Sequence, residues 1–411
     1  MAQGGPPGRV AGAAPLLFIQ YGDFRAAFLN LRSGGEEDYQ AQRRSVDFKA
    51  GLARAERPVT VLNVVTESAF DEVLPDGPRA IGLGPRGYAL SLRQWWRLLD
   101  QVDPAQLVLR TPLWPVLVWA AWRRRRTLVV LADSFAASGR RGQLRNMLMA
   151  RLLNAGVVGA VGNHGRRASA QLAEIGVDRR KIIPWDWAPA RTPHEQEPKC
   201  SASNDGAVTL LFAGALARSK GVDDLVEAAG VLRQRGRKVR VDLLGGGDIE
   251  RLRALAEEKG VADAVTLHGK VANRDVVPMM RAADMVIVPS HHDYPEGLPL
   301  TIYEALVSRT PIVASDHPMF SGNIVDGVSA LIFPAGNAGA LADRVEQLLD
   351  NPALYERLSR NGAAAWERLQ LPVTFEDLVA RWLEDDRDWL RAHSLAERNY
   401  AAAALSAAES A

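Results

Sequence analysis

A chain of 411 residues with 47% hydrophobic and 24% charged residues has a globular composition and is too long for one ordinary core, so two domains are expected. A formal net charge of +2 is no footprint of a dedicated nucleic-acid binder, which would show a concentrated basic face. The single cysteine, Cys200, excludes an intrachain disulfide framework or a cysteine-based metal cluster and fits a reducing compartment.

No apolar run reaches the length that spans a bilayer. Residues 1–14, rich in Gly, Ala and Pro, lack the layout of a signal peptide and read as a flexible tail. A cytoplasmic location is the expectation. From there the first half alternates. Strands are predicted at 15–20, 59–65, 79–83, 107–110, 127–131 and 156–162, and helices at 38–55, 91–101, 114–124 and 165–175. Such alternation implies a parallel sheet with helices on both faces.

Residues 188–206 are dense in Pro, Ser, Asn and charge, and read as an interdomain linker. The second half repeats the alternation more cleanly. Strands are predicted at 208–212, 239–244, 265–268, 285–289, 311–314 and 331–333, and helices at 222–234, 249–259, 274–282, 300–308 and 340–350. A late amphipathic helix pair at 375–393 and a low-complexity tail at 401–411 close the chain. The fold class is α/β, with two Rossmann-like doubly wound domains facing a central cleft.

Residues 286–306 are the most informative. An apolar strand enters a polar loop that carries Glu296, and a Gly297-Leu298-Pro299-Leu300 turn opens a helix that carries Glu304. At about 1.5 Å per residue, Glu304 lies within roughly 7 Å of the helix start. That start offers unpaired N–H groups and a positive end suited to an anion, while a carboxylate just inside it can accept two hydroxyl hydrogens, as a ribose diol offers. A nucleotide-sugar has both parts. Earlier, Gly214 follows the strand 208–212, and Lys220 within the same loop supplies a mobile charge suited to phosphate. The bland alternative is a solvated loop acid and a helix acid favoured by the dipole.

The stretch from Glu296 to Glu304 resembles the E-x7-E signature of retaining glycosyltransferases of the GT-B fold, family 4. Leu211-Phe212-Ala213-Gly214 with Lys220-Gly221-Val222 resembles the family's opening of this domain. Pro311-Ile312-Val313-Ala314-Ser315-Asp316 and Asp326-Gly327-Val328-Ser329-Ala330 continue the match, which covers 207–365. The resemblance implies that Glu304 binds the donor's ribose hydroxyls and Glu296 those of the transferred sugar. Lys220 would bind the diphosphate, helped by Gly214, Arg218 and the amides around Gly297, Leu298, Leu300 and Thr301. Lys270 and Val271 would lie beside the base. It implies a UDP- or GDP-sugar donor, an acceptor hydroxyl on a glycan, glycolipid or small molecule, and neither metal nor cofactor, since Lys and the helix end neutralise the leaving diphosphate. Surface glycan or glycolipid biosynthesis is the implied setting.

By the same likeness, residues 15–187 form the acceptor domain and 207–372 the donor domain, with 373–411 returning to the first. Gly34-Gly35 resembles the family's glycine pair near the donor phosphates; as structure alone it is a loop-to-helix junction. Two positions depart from the pattern. The family's Arg after the first glycine is Ala215 here, so either Arg218 replaces it or the diphosphate site is weakened. The family's N-domain His is absent from Ala132-Asp133-Ser134-Phe135, where Asp133 or Ser134 is left to assume part of its role.

Other motifs carry less. Gly82-Leu83-Gly84-Pro85-Arg86-Gly87 lacks the acid that a NAD ribose needs and reads as a turn. His291-His292 has no metal-ligand spacing. Trp114 to Trp122 followed by Arg123-Arg124-Arg125-Arg126 reads as a buried helix ending in cations, with peripheral membrane contact the sharper alternative. Trp185-Asp186-Trp187 suits packing or sugar stacking. A glycosidase pair of acids fits a helix-borne carboxylate beside an anion site less well. The rival functions are a non-catalytic nucleotide-sugar or glycan binder and a sugar-nucleotide epimerase.

Overall fold

Runs of Leu, Ile, Val and Phe bounded by Gly, Asn or charged turns become the parallel strands of two sheets. The computed structural model describes residues 13–55, 57–75, 77–135, 139–202, 206–294 and 296–398. The tail expected at 1–14 lies almost wholly outside the described residues, and the stretch 401–411 entirely so. The chain divides into two compact units. One is built from 41–188 with the described residues before 38 and those after 370; the other comprises 189–370 with 38–40.

The first unit runs β1 (Leu16–Gln20), α1 (Phe24–Arg32), α2 (Gln42–Arg54), β2 (Val59–Asn63), β3 (Ala69–Val73), β4 (Arg79–Leu83), α3 (Leu92–Val102), β5 (Gln106–Leu109), α4 (Trp114–Arg123), β6 (Arg126–Leu131), α5 (Gly139–Leu153), β7 (Val158–His164), α6 (Arg166–Glu174) and β8 (Ile182–Trp185). Its eight strands lie in the order β3-β4-β2-β1-β5-β6-β7-β8, all parallel except β3, which pairs antiparallel with β4. Four elements of this unit escape the sequence pattern: β8, passed over although all four of its residues are buried, and three whose local signal is weak. β3 is an exposed edge with only its second residue part-buried. Helix α1 is short and set by a cap, the Asp23 carboxylate accepting from the Ala26 N–H. Helix α5 buries only Asn146, Ala150 and Leu153. The helix expected from 38 begins at Gln42.

The second unit runs β9 (Val208–Ala213), α7 (Val222–Gln234), β10 (Val239–Leu244), α8 (Ile249–Glu258), β11 (Val265–Gly269), α9 (Asn273–Ala282), β12 (Met285–Val288), α10 (Leu300–Ser308), β13 (Ile312–Ser315), β14 (Leu331–Phe333), α11 (Ala338–Leu349) and α12 (Pro352–Leu369). The order β11-β10-β9-β12-β13-β14, parallel throughout, is the 3-2-1-4-5-6 order of a dinucleotide-binding sheet, with its switch point between β9 and β12. Buried Leu210, Val241, Ile287 and Val313 meet Leu225, Leu252 and Leu341 of the helices in one core.

Part of the segment read as a linker is fastened to this second unit. The Lys199 N–H donates to the Ser359 hydroxyl at 2.7 Å, and the Lys199 ammonium donates to the carbonyls of Arg281 and Ala283. The last helices, α13 (Phe375–Leu383) and α14 (Arg387–Ala392), belong to the first unit. Phe375, Leu378, Val379 and Trp382 complete its core against Phe18, Val130 and Ala160. Among the described residues no helix is long and apolar enough to cross a membrane.

Candidate active site

In a doubly wound sheet, ligands bind beyond the carboxyl ends of the strands at the switch point. In the second unit that point lies between the loops after β9 and β12, and glycine brings the loops together. The loop after β9 is laced to the one after β10, the Gly214 N–H donating to the Leu244 carbonyl and the Leu216 N–H to that of Gly246, both at 2.9 Å. Gly245, at φ +141°, makes this approach possible, because a Cβ there would sit 1.8 Å from the Gly214 carbonyl oxygen. Gly221 does the same across the switch point. It has φ +70°, and a Cβ would lie 2.0 Å from the Pro289 carbonyl oxygen. Lys220, one residue before, is thereby delivered to the loop after β12.

There Lys220 Nζ donates to both oxygens of Glu296 at 2.7 Å. The side chains are 14% and 5% exposed, and the ammonium also lies 4.4 Å from the centre of the Tyr294 ring. Burial pushes the Glu296 carboxyl up, against the pull of Lys220. Helix α10 starts just beyond with Pro299 as its cap residue, so the first turn keeps the unpaired amides expected of a helix N-terminus. The Thr301 hydroxyl ties that turn back to the Ala213 carbonyl at 3.0 Å.

Glu304 follows on the same helix, buried, with its Oε1 accepting from Asn273 Nδ2 at 2.9 Å. No cation pairs with it among the described residues. Burial raises its carboxyl to about 7, and the Asn273 hydrogen bond opposes the rise only in part. An acid in this state, with one hydrogen bond, is short of donors when it ionises. A vicinal diol would supply two.

Of the other residues singled out by sequence, Gly297, Leu298 and Leu300 form the entry to α10. Lys270 is exposed, its side chain resting over Gly246, and the half-buried Val271 follows it. Arg218 is 77% exposed and, among the described residues, its one ion pair is a 3.8 Å contact with Asp223, whose carboxylate is occupied by Arg251. Ala215 is exposed as well. The two adjacent histidines diverge, His291 bonding Asp224 at 2.7 Å and His292 bonding Asp316 at 2.8 Å. Among the described residues no group of three or more His, Cys, Asp or Glu side chains could hold a metal ion. Sequence reasoning missed Asn273, Tyr294 and His317. His317 accepts from the Met319 N–H through Nδ1, leaving Nε2–H to donate to the Tyr294 carbonyl at 3.2 Å. Asn273 and His317 lie outside residues 286–306, and Tyr294 lies inside that stretch but carried no role there.

The first unit has its own switch point between β1 and β5. Asp133, after β6, accepts at 3.1 Å from the hydroxyl of Tyr21, which follows β1. Burial lifts the Asp133 carboxyl to about 6, with Tyr21 and Arg110 opposing. Arg110, after β5, lies over the rings of Phe375, Trp185 and Trp187 at 4.5, 5.2 and 5.2 Å. Trp185 is a core residue, its indole N–H donating to the Leu131 carbonyl. Buried His164, at the end of β7, bonds Asp186 at 2.8 Å. Gly34 and Gly35 close the C-terminus of α1, with the Gly35 N–H on the Asn30 carbonyl at 2.8 Å; Gly34 has φ +84°.

Residues 194–365 match the family model described as glycosyl transferases group 1. An alpha-D-kanosaminyltransferase of Streptomyces kanamyceticus is 33% identical over 163 residues, 39% of this chain and 41% of that protein. A D-inositol 3-phosphate glycosyltransferase of Pseudarthrobacter chlorophenolicus is 33% identical over 207 residues, 48% of this chain and 47% of that one. The chain thus spans less than half the length of these curated relatives. Among solved structures, sucrose-phosphate synthase from Thermosynechococcus elongatus superposes with a TM-score of 0.63 at 17% identity, covering 92% of this chain and 100% of its own. Anabaena HepE in complex with UDP and glucose gives 0.61 at 15% identity, covering 90% and 100%. Likeness at such low identity establishes the fold, which is the two-domain GT-B fold.

Proposed function

We propose, from a second unit whose residues 194–365 belong to the group 1 glycosyl transferases, that the whole chain moves a sugar from a nucleotide-diphosphate donor to an acceptor hydroxyl with retention of configuration. The observation that carries this is the gathering of Lys220, Glu296, Glu304 and the start of α10 around one switch point. Glu304 receives the ribose diol. Lys220 and the α10 amides receive the diphosphate and stabilise the charge that develops on it as the glycosidic C–O bond breaks. No metal is required in this reading, because a cation and a helix end already face the leaving group.

Lys220 is engaged by Glu296. A bound diphosphate would compete for the ammonium and leave the Glu296 carboxylate to accept hydroxyls of the transferred sugar. The acceptor oxygen attacks the anomeric carbon from the face the diphosphate leaves, and its proton passes to the departing phosphate oxygen. We assign the acceptor to the first unit, where Asp133 and Tyr21 stand beyond the strand ends. A UDP-sugar is favoured over a GDP-sugar by the structural neighbour solved with UDP and glucose.

The test is to incubate the protein with UDP- and GDP-sugars and a mixture of polyol and glycan acceptors, and to follow release of the nucleotide and the anomer formed. Release that depends on both substrates, gives the donor's anomer and is lost in Glu304→Ala supports the reading. Near-normal turnover in that variant sinks the site assignment. Donor binding without any transfer would favour the non-catalytic binder, for which Ala215 is the specific observation. A product that remains a sugar-nucleotide would favour the epimerase.

A further inference from the structure

Helices α3, α4 and α5 of the first unit lie side by side, and their inner faces feed one core through Trp95, Leu99, Val116, Trp119, Ala150 and Leu153. Their outer faces are unusual for a solvated surface. On α5, Leu144, Met147 and Leu148 are 54%, 45% and 50% exposed. Their spacing of three and four residues places them on one helical face. Arg140, Arg141 and Arg151 fall on that same face and Arg145 on its border; α5 contains no acid at all. Among the described residues none of these four arginines is paired with a carboxylate.

Helix α4 continues the surface. It buries Trp119, as a core helix should, but leaves Trp114 and Trp122 at 51% and 60% exposure. Trp122 stacks on Trp96 of α3 at 5.0 Å, with Arg123 4.4 Å from its ring centre. Over the three helices the only acid is Asp100, and it is spent on Arg123 and on the Trp119 indole N–H.

From this pattern we infer that the outer face of α3, α4 and α5 docks on an anionic lipid bilayer. Bare arginines interleaved with exposed leucine, methionine and tryptophan match the two layers of such a surface. The guanidinium groups reach headgroup phosphates while their stems lie along the apolar side chains, and those side chains enter the acyl boundary. Tryptophan is the residue most at home at that depth. A nucleic acid would use the arginines and leave the aliphatic side chains in water. The core of a protein interface depletes the charges that here share the apolar face. The inference does not depend on the proposed reaction.

The test is sedimentation of the full chain with vesicles of phosphatidylcholine alone and of phosphatidylcholine with phosphatidylglycerol, with tryptophan emission recorded alongside. The expected result is binding to the anionic vesicles only, a blue shift of emission, and loss of binding at about 1 M salt, where the screening length falls to about 3 Å. Each surface arginine is worth about a fivefold change in partitioning, so Arg141→Gln with Arg145→Gln weakens binding about 25-fold. Leu144→Ser with Leu148→Ser also weakens it. Because both side chains are exposed, that variant keeps the melting temperature of the parent, which separates lost docking from lost folding. Equal binding to neutral vesicles, no binding at all, or undiminished binding by both variants overturns the inference. So does self-association that the Leu144 and Leu148 variant abolishes in the absence of lipid, which would assign the face to a second copy of the chain.

Discussion

Glu304→Gln removes an ionisable group from a site that holds its proton tightly, and the change reads out in stability and in binding. The carboxyl titrates at about 7 in the folded unit, against an ordinary value of 4.5. The gap of about 2.5, at roughly 1.36 kcal/mol for each tenfold change, corresponds to about 3 kcal/mol. Because the folded state binds the proton more tightly, this stability is fully present below pH 4.5 and is lost as the pH rises through 7. The glutamine amide keeps the shape, and with its own amide turned to suit it can still accept from Asn273, but it cannot ionise. At pH 8 the variant should therefore melt roughly 6–12 °C above the parent, given about 2–4 °C per kcal/mol for a unit of this size, and at pH 4.5 the two should coincide. Binding should move in the opposite direction. If ribose hydroxyls donate to the ionised carboxylate, parent affinity for a nucleotide-sugar falls about thirtyfold between pH 8 and pH 5.5, while the weaker affinity of the variant stays level across that range. Thermal unfolding and titration calorimetry, each run on both proteins over the same pH series, measure the two effects. Comparing the proteins cancels the contribution of His317, which both retain. Parallel pH profiles for parent and variant, in either measurement, would refute the reasoning.

Lys220→Met strands the Glu296 carboxylate, only 5% exposed, and should cost roughly 3–5 kcal/mol in chemical denaturation, with part of the loss recovered on adding Glu296→Gln; equal stability of the single and double variants would contradict the pairing. Gly221→Ala forces a Cβ toward the Pro289 carbonyl at a left-handed backbone position, and should cost about 1–3 kcal/mol and weaken nucleotide binding in calorimetry, because it separates the two loops that bring Lys220 to Glu296.

Local pattern alone carried much of this protein. Near-continuous apolar runs such as Met285–Val288, buried along their whole length, announce parallel strands, and their alternation with helices announces two doubly wound sheets. Glu296 and Glu304 were legible for the same reason, since a loop, a turn and a helix start are consecutive in the chain. What escaped was whatever depends on residues far apart in it. Asn273 meets Glu304 across 31 positions and Lys220 meets Glu296 across 76, so no window of sequence contains either contact. The edge strand β3 was missed because it buries no apolar stripe, whereas the short helix α1 does bury Phe24, Phe28 and Leu31 at helical spacing and was passed over. The exposure of Trp122 beside the burial of Trp119 is the clearest case. Two tryptophans three residues apart look alike in sequence, and only the packing of α4 against the sheet and α3 decides which enters the core and which faces out. Sequence by itself determined the periodicities and the chemistry available. Tertiary structure decided which groups meet and which lose their water, and with that the upward shifts of the Glu304, Glu296 and Asp133 carboxyls, because desolvation and partnership are properties of the folded surroundings and not of the residue.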